Sequence, residues 1–358
     1  MKTKRCATIA QFGSTIIMHP RLIDVVREIK MLSRKLADAC DSQTLIVICG
    51  PVGVGKTTVL HMEERAVINA SSAEMAEDPA YLPVVKICVG KVAEGWSTWK
   101  HFWGDFLGKY CDAMIGNKSL PETKTKGSRN FSMPETIEAL RQAVKNQVQL
   151  RRTKRVFIDE VQHLLNRGQL SSEEDNLDAL KRLATKSRVI VVAAGPYELK
   201  TLVSSEEQLI HWVRFIHFRA YGASEQDHKD FYATVWHMEA LLPIPFAKDV
   251  KIETLFEGSL GCIGLLKNWL VAAVQRASSR SGNEVTQDDI LHTMFSGNDL
   301  TTLARGISLG EAAFNWANGV RTSIRLFLGL PEESEVKEPE TARKFSPDVR
   351  HPRRDNLR

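Results

Sequence analysis

The sequence predicts an α/β fold, in which a parallel sheet flanked by helices precedes a small all-helical domain. Four short runs rich in Val and Ile alternate with segments of helical periodicity, which is typical of a parallel sheet with helices on both faces. After residue 222 the apolar residues recur only at helical spacing. The predicted strands cover residues 44–49, 83–89, 154–158 and 188–194.

The same patterns divide the chain into five segments. In the first, Pro20 to Ala39 carries apolar residues at helical spacing and predicts a helix. The segments are an N-terminal segment with this helix (1–40), the α/β core (41–222), a helical lid (223–300), a helical extension (301–330) and a flexible charged tail (331–358). The tail runs from acidic to basic, which suits either a solvated terminus or a segment ordered by a partner.

A phosphate-binding loop follows the first predicted strand. The stretch fits G-x-x-x-x-G-K-[ST], and it should open a helix whose first amides converge on one point. Lys56 would reach the terminal phosphates of ATP, and the Thr57 hydroxyl would hold Mg²⁺. The residues of this loop and its first helical turn are Gly50, Pro51, Val52, Gly53, Val54, Gly55, Lys56, Thr57 and Thr58.

Two carboxylates end the third predicted strand, which reads Val156-Phe157-Ile158-Asp159-Glu160. An ATPase with a P-loop needs an acid at this strand end to hold magnesium, and Asp159 is predicted for that role. The neighbouring acid, Glu160, is predicted to activate the attacking water. Together with the loop, the pair predicts a nucleotide site that uses ATP and Mg²⁺.

Positive charge opposite the γ-phosphate is the remaining requirement for hydrolysis. Arg214 is predicted to supply it to a neighbouring subunit as an arginine finger, and Arg219 is the alternative. Lys267 of the lid is placed to reach the same nucleotide. Each of these three residues could equally be an ordinary surface cation.

The lid is predicted from three helices, over 224–242, 262–279 and 286–295, which proline and glycine segments separate. A further helix is predicted over 310–328. The chain has a net charge of +5 and a pI of about 8.8, values that permit a nucleic-acid partner without requiring one. No Cys-x-x-Cys pair and no apolar run long enough to cross a bilayer occur, so we expect a cytoplasmic protein without a membrane partner.

Two basic segments are the predicted contacts for duplex DNA phosphates. The first is a loop with Lys124, Lys126 and Arg129, followed by a predicted capping box at Ser132 to Glu135 that opens a helix. The second contains Lys91 and Lys100 among three tryptophans; because Trp96, Trp99 and Trp103 recur at helical spacing, we interpret them as core packing. A solvated loop is the alternative for the first segment.

Four sequence features together resemble the AAA+ ATPases, and more narrowly the TnsC/TniB transposition regulators, including those of CRISPR-associated transposons. They are the triplet His19-Pro20-Arg21, the loop from Gly50 to Thr58, the run IDEVQHLL from Ile158 to Leu165, and the turn from Gly261 to Gly264. The most specific of them is IDEVQHLL.

The resemblance implies an ATP-dependent homo-oligomer, a ring or helical filament, that wraps duplex DNA. It would link a target selector of the TniQ/TnsD type to a transposase, with hydrolysis driving disassembly. On the resemblance, Lys56 and Thr57 are P-loop residues, Asp159 is the magnesium-side acid and Glu160 the catalytic acid. Arg214 carries over as the finger that acts in trans.

Two departures from that family leave other functions open. The fourth strand ends in Ala194-Gly195-Pro196, where many AAA+ proteins have a polar sensor, and Lys267 follows two leucines where relatives often have an arginine. Tyr197 is a weak substitute sensor. These departures predict slow hydrolysis, which suits an assembly switch. The alternatives are a nucleotide-switched signalling or scaffold NTPase without DNA, and a replication initiator or loader.

Overall fold

The computed structural model describes most of the chain. The described residues are 5–38, 45–90, 98–116, 136–164, 181–182, 184–185, 187–204, 212–314 and 318–329. Residues up to Phe314 form one compact unit, and those from Asn315 onward form a second. The predicted tail lies outside the described residues.

A five-stranded parallel sheet forms the centre of the first unit, in the order β2-β3-β4-β1-β5. This confirms the predicted fold class. The strands are β1 (Leu45–Cys49), β2 (Val84–Cys88), β3 (Arg155–Asp159), β4 (Ile190–Gly195) and β5 (Val213–His217). The first four coincide with the predicted runs. The sequence analysis did not predict β5, which pairs with β1 at the edge of the sheet.

Helices cover both faces of the sheet because successive strand residues point to opposite sides. One face packs against α5 and α6, and the other against α2 and α3. In chain order the helices of the core are α1 (Ile9–Ser14), α2 (Pro20–Asp38), α3 (Lys56–Ala70), α4 (Ser72–Glu77), α5 (Thr98–Gly116), α6 (Ile137–Leu150) and α7 (Glu198–Ser204).

Helix α5 confirms the packing interpretation of the tryptophans that the structure describes. Trp99 and Trp103 are buried and form a stacked pair, with further aromatic rings along the same face. Trp96 lies outside the described residues. Helix α6 has Thr136 as its N-cap, whose hydroxyl accepts from the amide of Ala139. The predicted capping box at residues 132–135 lies outside the described residues.

The lid packs around its own apolar core. Its helices are α8 (Glu225–Leu241), α9 (Ile252–Ser259), α10 (Ile263–Ser279) and α11 (Gln287–His292). Three of them match the predicted segments, and α11 opens with a capping box between Thr286 and Asp289. Trp269 is buried at the centre of this core, and Phe12 of α1 joins it. The N-terminal segment therefore packs on the lid.

The prediction of a single helix over 310–328 was wrong in its bounds. Helix α12 spans Gly297–Phe314, so the boundary that the sequence suggested at residue 300 falls inside it, and α13 (Asn318–Phe327) lies in the second unit. Gly310 faces Tyr197 so closely that a Cβ atom would lie 1.9 Å from the ring. The packing of α12 on the core thus requires glycine at residue 310. Glycine lowers helix propensity and interrupts the apolar periodicity from which the helix was predicted.

Two features of the composition, the cysteines and the apolar runs, can be examined in the described residues. Cys6, Cys49 and Cys262 are buried free thiols, and burial raises the pKa of Cys49 and of Cys262 to about 12. They therefore behave as small core residues. Among the helices described, none combines the length and apolar character that crossing a membrane requires.

The segment before α2 is tied to the start of the lid by buried polar contacts. The Arg21 guanidinium donates to the carbonyl of Ala220, pairs with Asp227 and lies over the ring of Tyr221. Burial alone would raise the pKa of Asp227, but the Arg21 contacts outweigh it and hold this pKa below its usual value. His19 Nδ1 forms a 3.0 Å hydrogen bond with the Tyr221 hydroxyl. This cluster fixes the N-terminal segment between core and lid.

The buried His19 should make stability depend on pH. Burial, assisted by the nearby Arg21 charge, lowers the pKa of His19 from 6.5 to about 4. Because the unfolded chain binds more protons between these values, the stabilisation is complete above pH 6.5 and is lost as the pH falls towards 4. The contribution should be about 1.4 kcal/mol per pH unit in that window.

The difference between wild type and His19→Asn isolates this contribution, since carboxylates elsewhere titrate in both proteins. We expect the wild-type free energy of unfolding, from urea denaturation at a series of pH values, to fall more steeply below pH 6.5 than that of the variant. Asn retains a polar group near the Tyr221 hydroxyl without titrating. Parallel pH curves for the two proteins would contradict a buried neutral His19.

Candidate nucleotide-binding site

The loop between β1 and α3 forms a concave set of backbone amides. Gly53 and Gly55 have φ angles of +75° and +114°, conformations that side-chain-bearing residues rarely adopt. Helix α3 begins at Lys56, so the amides of its first turn have no carbonyl partner within the helix. The Thr57 side chain is exposed beside them. The arrangement suits a polyphosphate at the helix N-terminus.

Lys56 lies across this loop and is buried. Its ammonium donates to the carbonyls of Gly50 and Pro51, both at 2.8 Å. Burial lowers the pKa of Lys56, and the nearby charges of Glu160 and Asp159 oppose that shift. The lysine is therefore close enough to the acidic pair to interact with it electrostatically, and it is held at the loop where a phosphate would bind.

The acidic pair stands at the end of β3. Asp159 is buried, and its Oδ1 accepts from the backbone amide of Glu160 at 3.1 Å. Glu160 is half-buried with a φ of +55°, in the left-handed region that few residues other than glycine adopt. The turn at Glu160 directs the two adjacent carboxylates differently. The sequence analysis missed Gln162, whose Nε2 donates to Glu160 Oε2.

A magnesium ion fits the residues at this edge. Thr57 offers an exposed hydroxyl after β1, and Asp159 offers a carboxylate at the end of β3, two strands away in the sheet. Within the described residues no group of three or more His, Cys, Asp or Glu side chains could hold a metal alone. Mg²⁺ is usually bound by one or two protein oxygens together with substrate phosphates and water, and Thr57 and Asp159 could supply the protein oxygens.

The lid touches the loop directly at the start of α10. The amide of Leu265 donates to the carbonyl of Gly53 at 3.2 Å. A Cβ atom on Gly264 would lie 2.4 Å from that same carbonyl oxygen, so only glycine permits the approach. The position of the lid is thereby coupled to the conformation of the phosphate-binding loop.

A cavity of about 320 Å³ opens beside the loop. The backbone from Gly13 to Ile17 forms one wall, the start of α3 a second, and the start of α10 a third. Lys267 lines it, but its ammonium donates to the carbonyls of Gly13 and Thr15 at 2.6 and 2.8 Å. Lys267 thus joins the lid to the N-terminal segment, and its predicted contact with a nucleotide stays a prediction. The cavity adjoins Gly55 and Thr58 and can accept a nucleoside attached to the phosphates.

The C-terminal edge of the sheet also carries a polar cluster that the sequence did not reveal. The Tyr197 hydroxyl donates to Glu311 of α12 at 2.7 Å and lies 2.9 Å from His217 Nε2, which must donate to it. Phe314 stacks on His217 with centroids 4.2 Å apart. Burial raises the pKa of Tyr197 far above its usual value. The hydroxyl of Tyr197 is therefore engaged, which disfavours it as a substitute sensor.

Arg214 lies on the edge strand β5 and is exposed. It pairs with Ile46, three residues before the end of β1, which places it roughly 10 Å along the strand from its own loop. Arg219 is also exposed and follows β5, on the side where β1 joins the loop. Of the predicted DNA contacts, Lys100 is exposed in the first turn of α5. Lys91, Lys124, Lys126 and Arg129 lie outside the described residues.

Residues 39–203 match a family model described as an AAA domain, a family of nucleotide-hydrolysing P-loop ATPases. This match and the sheet described above make the core an AAA+ P-loop domain. No curated protein sequence matches the chain.

Solved structures of origin-recognition proteins are similar in fold. The ORC1 protein of Aeropyrum pernix in complex with DNA is 15% identical, with a TM-score of 0.51, over 77% of this chain and 65% of that one. The ADP form of the ORC2 protein of the same organism is 14% identical, with a TM-score of 0.48, over 79% and 70%. A Drosophila ORC structure bound to DNA is 14% identical, with a TM-score of 0.49, over 90% and 78%. At these identities the likeness to ORC1 shows a shared fold and nothing finer.

The contact between lid and loop generates a prediction. Gly264→Ala would press a methyl group against the Gly53 carbonyl, and overpacking against backbone typically costs about 1–3 kcal/mol. Displacement of the lid should enlarge the cavity and weaken binding of a fluorescent ATP analogue by roughly tenfold or more. Titration followed by fluorescence anisotropy measures the change.

Gly108→Ala is the matched control, because Gly108 lies in a helix and a Cβ atom there would meet nothing within 4 Å. It should leave nucleotide affinity unchanged and slightly raise stability. Equal affinities for wild type and Gly264→Ala would show that the lid contact has no part in nucleotide binding.

Proposed function

We propose that this protein is an ATP-dependent, DNA-binding AAA+ regulator of transposition. It oligomerises on duplex DNA as a ring or helical filament, links a target selector of the TniQ/TnsD type to the transposase, and disassembles on ATP hydrolysis. The observation that carries the proposal is the sequence run IDEVQHLL, from Ile158 to Leu165, whose two acids Asp159 and Glu160 lie at the edge of the site.

The geometry supports the nucleotide part of this function. The loop amides, Lys56 and Thr57 suit the phosphates and magnesium, Asp159 suits the metal, and Glu160 suits the attacking water. The adjoining cavity has three walls, from the N-terminal segment, the loop and the lid. A nucleotide bound there would contact all three, and its loss would release them from one another.

Oligomerisation is supported by the position of Arg214 relative to the phosphate-binding loop of its own chain. Arg214, the predicted finger, lies too far along β5 to reach the loop of the same chain. An arginine on an exposed sheet edge can instead reach a neighbour's γ-phosphate, which would make each active site depend on two subunits. ATP turnover would then follow assembly.

DNA binding is supported by charge. The chain has a net charge of +5, and two segments concentrate lysine and arginine. Contacts between these residues and DNA phosphates would be independent of sequence and sensitive to salt. A regulator that must act at many target sites needs this kind of contact.

A replication initiator or loader is the second candidate. The fold shared with an ORC1 protein that was solved with DNA favours it. The two candidates share nucleotide binding and DNA binding but differ in their partners. A transposase gene beside the gene for this protein, and its product retained on a column of this protein with ATP and DNA, would favour the transposition role.

Assembly on DNA is the central test. With a slowly hydrolysed ATP analogue, we expect the protein to bind labelled duplex DNA and to form rings or filaments visible by electron microscopy. Affinity should fall as salt rises, and Lys56→Ala should abolish both assembly and binding. Replacing Lys124, Lys126 and Arg129 together by Ala should weaken binding and reduce the salt slope by about two to three charges.

The control replaces Lys229, Lys248 and Lys251 by Ala, which removes the same charge from exposed positions of the lid. It should leave the salt slope close to that of wild type. If nucleotide and low salt produce neither assembly nor DNA binding, the proposal is wrong. If turnover and assembly proceed without any response to DNA, a signalling or scaffold NTPase is the better description.

The role of Arg214 is tested by mixing variants. Arg214→Ala should bind nucleotide normally but hydrolyse it at least about a thousandfold more slowly, as expected for loss of an arginine finger. Glu160→Gln should retain nucleotide binding and assembly but should also be inactive. A mixture of the two should regain measurable ATP turnover, because some interfaces then combine an intact Glu160 with an intact Arg214. An inactive mixture, or one rescued only when Arg219→Ala replaces Arg214→Ala, would exclude Arg214 as the finger.

A further inference from the structure

The end of β4 contains a space that another element fills. Gly195 pairs with Cys49, the residue before the loop, and so lies at the middle of the site's edge. A Cβ atom on Gly195 would lie 2.9 Å from Gln162 Oε1 and 2.9 Å from Leu199 Cδ2. The side chain of Gln162 therefore occupies the space that a side chain at residue 195 would need.

Gln162 also contacts the predicted catalytic acid. Its Nε2 donates to Glu160 Oε2. Because a carboxylate only accepts hydrogen bonds, the amide nitrogen must face Glu160, and this fixes the carboxamide with its oxygen towards Gly195. Within the described part of the chain, that buried oxygen has no hydrogen-bond partner. A buried unpaired carbonyl is destabilising, so folding alone does not account for the glutamine.

The backbone holds Glu160 in place on the other side. Its amide donates to Asp159 Oδ1, and its carbonyl accepts from the amide of His163. With the left-handed turn fixed by these bonds, the remaining freedom of Glu160 is in its side chain. Gln162 removes much of that freedom by engaging one of the two carboxylate oxygens.

We propose that Gln162 is a positioning residue of the hydrolytic site. Its carboxamide takes the place of the polar side chain that β4 lacks at Gly195, and it holds one oxygen of Glu160 so that the other is free for the attacking water. This inference rests on the proposed ATPase function. It makes Gly195 and Gln162 a matched pair, since a larger residue at position 195 would expel the glutamine.

Gln162→Met is the principal test, because it retains length and removes the hydrogen bond. Under single-turnover conditions we expect hydrolysis to slow by roughly 10- to 100-fold, a fraction of what general-base catalysis contributes. Nucleotide affinity should stay within twofold of wild type. The loss should appear in kcat with KM close to the wild-type value, a split that a general loss of structure would not produce.

Two further variants separate positioning from structure. Gly195→Ala should reproduce the slow hydrolysis by displacing Gln162, and combining it with Gln162→Met should add little. Thermal unfolding of Gln162→Met should occur at or above the wild-type temperature, because the unpaired oxygen is gone. The matched control is Gln226→Met, since Gln226 donates to Asp230 on the exposed surface of the lid. It should leave kcat and KM unchanged.

The outcomes distinguish this inference from the function on which it rests. A wild-type protein that binds but never hydrolyses ATP, even when assembled, overturns both. If wild type hydrolyses ATP and Gln162→Met matches it in kcat and KM, only the role of Gln162 is overturned. A Gln162→Met protein that loses stability and nucleotide affinity in proportion would assign the residue a structural role instead.

Discussion

The approach of the lid to the phosphate-binding loop is the contact on which the site depends. The carbonyl of Gly53 accepts from the amide of Leu265, and Gly264 lies against the same oxygen with no room for a methyl group. Because the loop and the start of α10 meet there, the cavity acquires its third wall. Lys267, one turn further along α10, then reaches the carbonyls of Gly13 and Thr15 and brings the N-terminal segment to the same place. Three segments distant in sequence thus share one junction.

The parallel sheet explains why the charges collect at that junction. The carboxyl ends of β1, β3 and β4 lie side by side, so Lys56, Asp159 and Glu160 are neighbours although about a hundred residues separate them in sequence. Burial disfavours the charged lysine, and the two carboxylates oppose that effect. One ammonium and two carboxylates give a net negative charge where a polyphosphate would bind. A divalent cation between Thr57 and Asp159 would make the net charge of the site positive. For this reason metal and nucleotide should bind together.

Sequence patterns predicted those parts of the fold that depend on residues close to one another in the chain. The four Val- and Ile-rich strands, the loop and three lid helices follow from composition, periodicity and caps. Strand β5 was missed because it is only five residues long and its exposed Arg214 interrupts the apolar run. Helix α12 was misplaced because Gly310, which Tyr197 requires, weakens the helical signal. The predicted acids lie at the site's edge, whereas Gln162 and the cluster of Tyr197 with Glu311 depend on contacts between distant segments that no local pattern encodes.

The glycine at residue 195 illustrates the limit of arguing from one position. Its lack of a side chain suggested a weakened site and slow hydrolysis. In three dimensions the missing volume is filled from the turn after β3, by a carboxamide that also touches Glu160. A missing side chain therefore does not mean a missing polar group, because close packing gives the space to another residue. On the proposed function, slow hydrolysis in a single chain would follow from the distance between Arg214 and its own loop, and assembly would then set the rate.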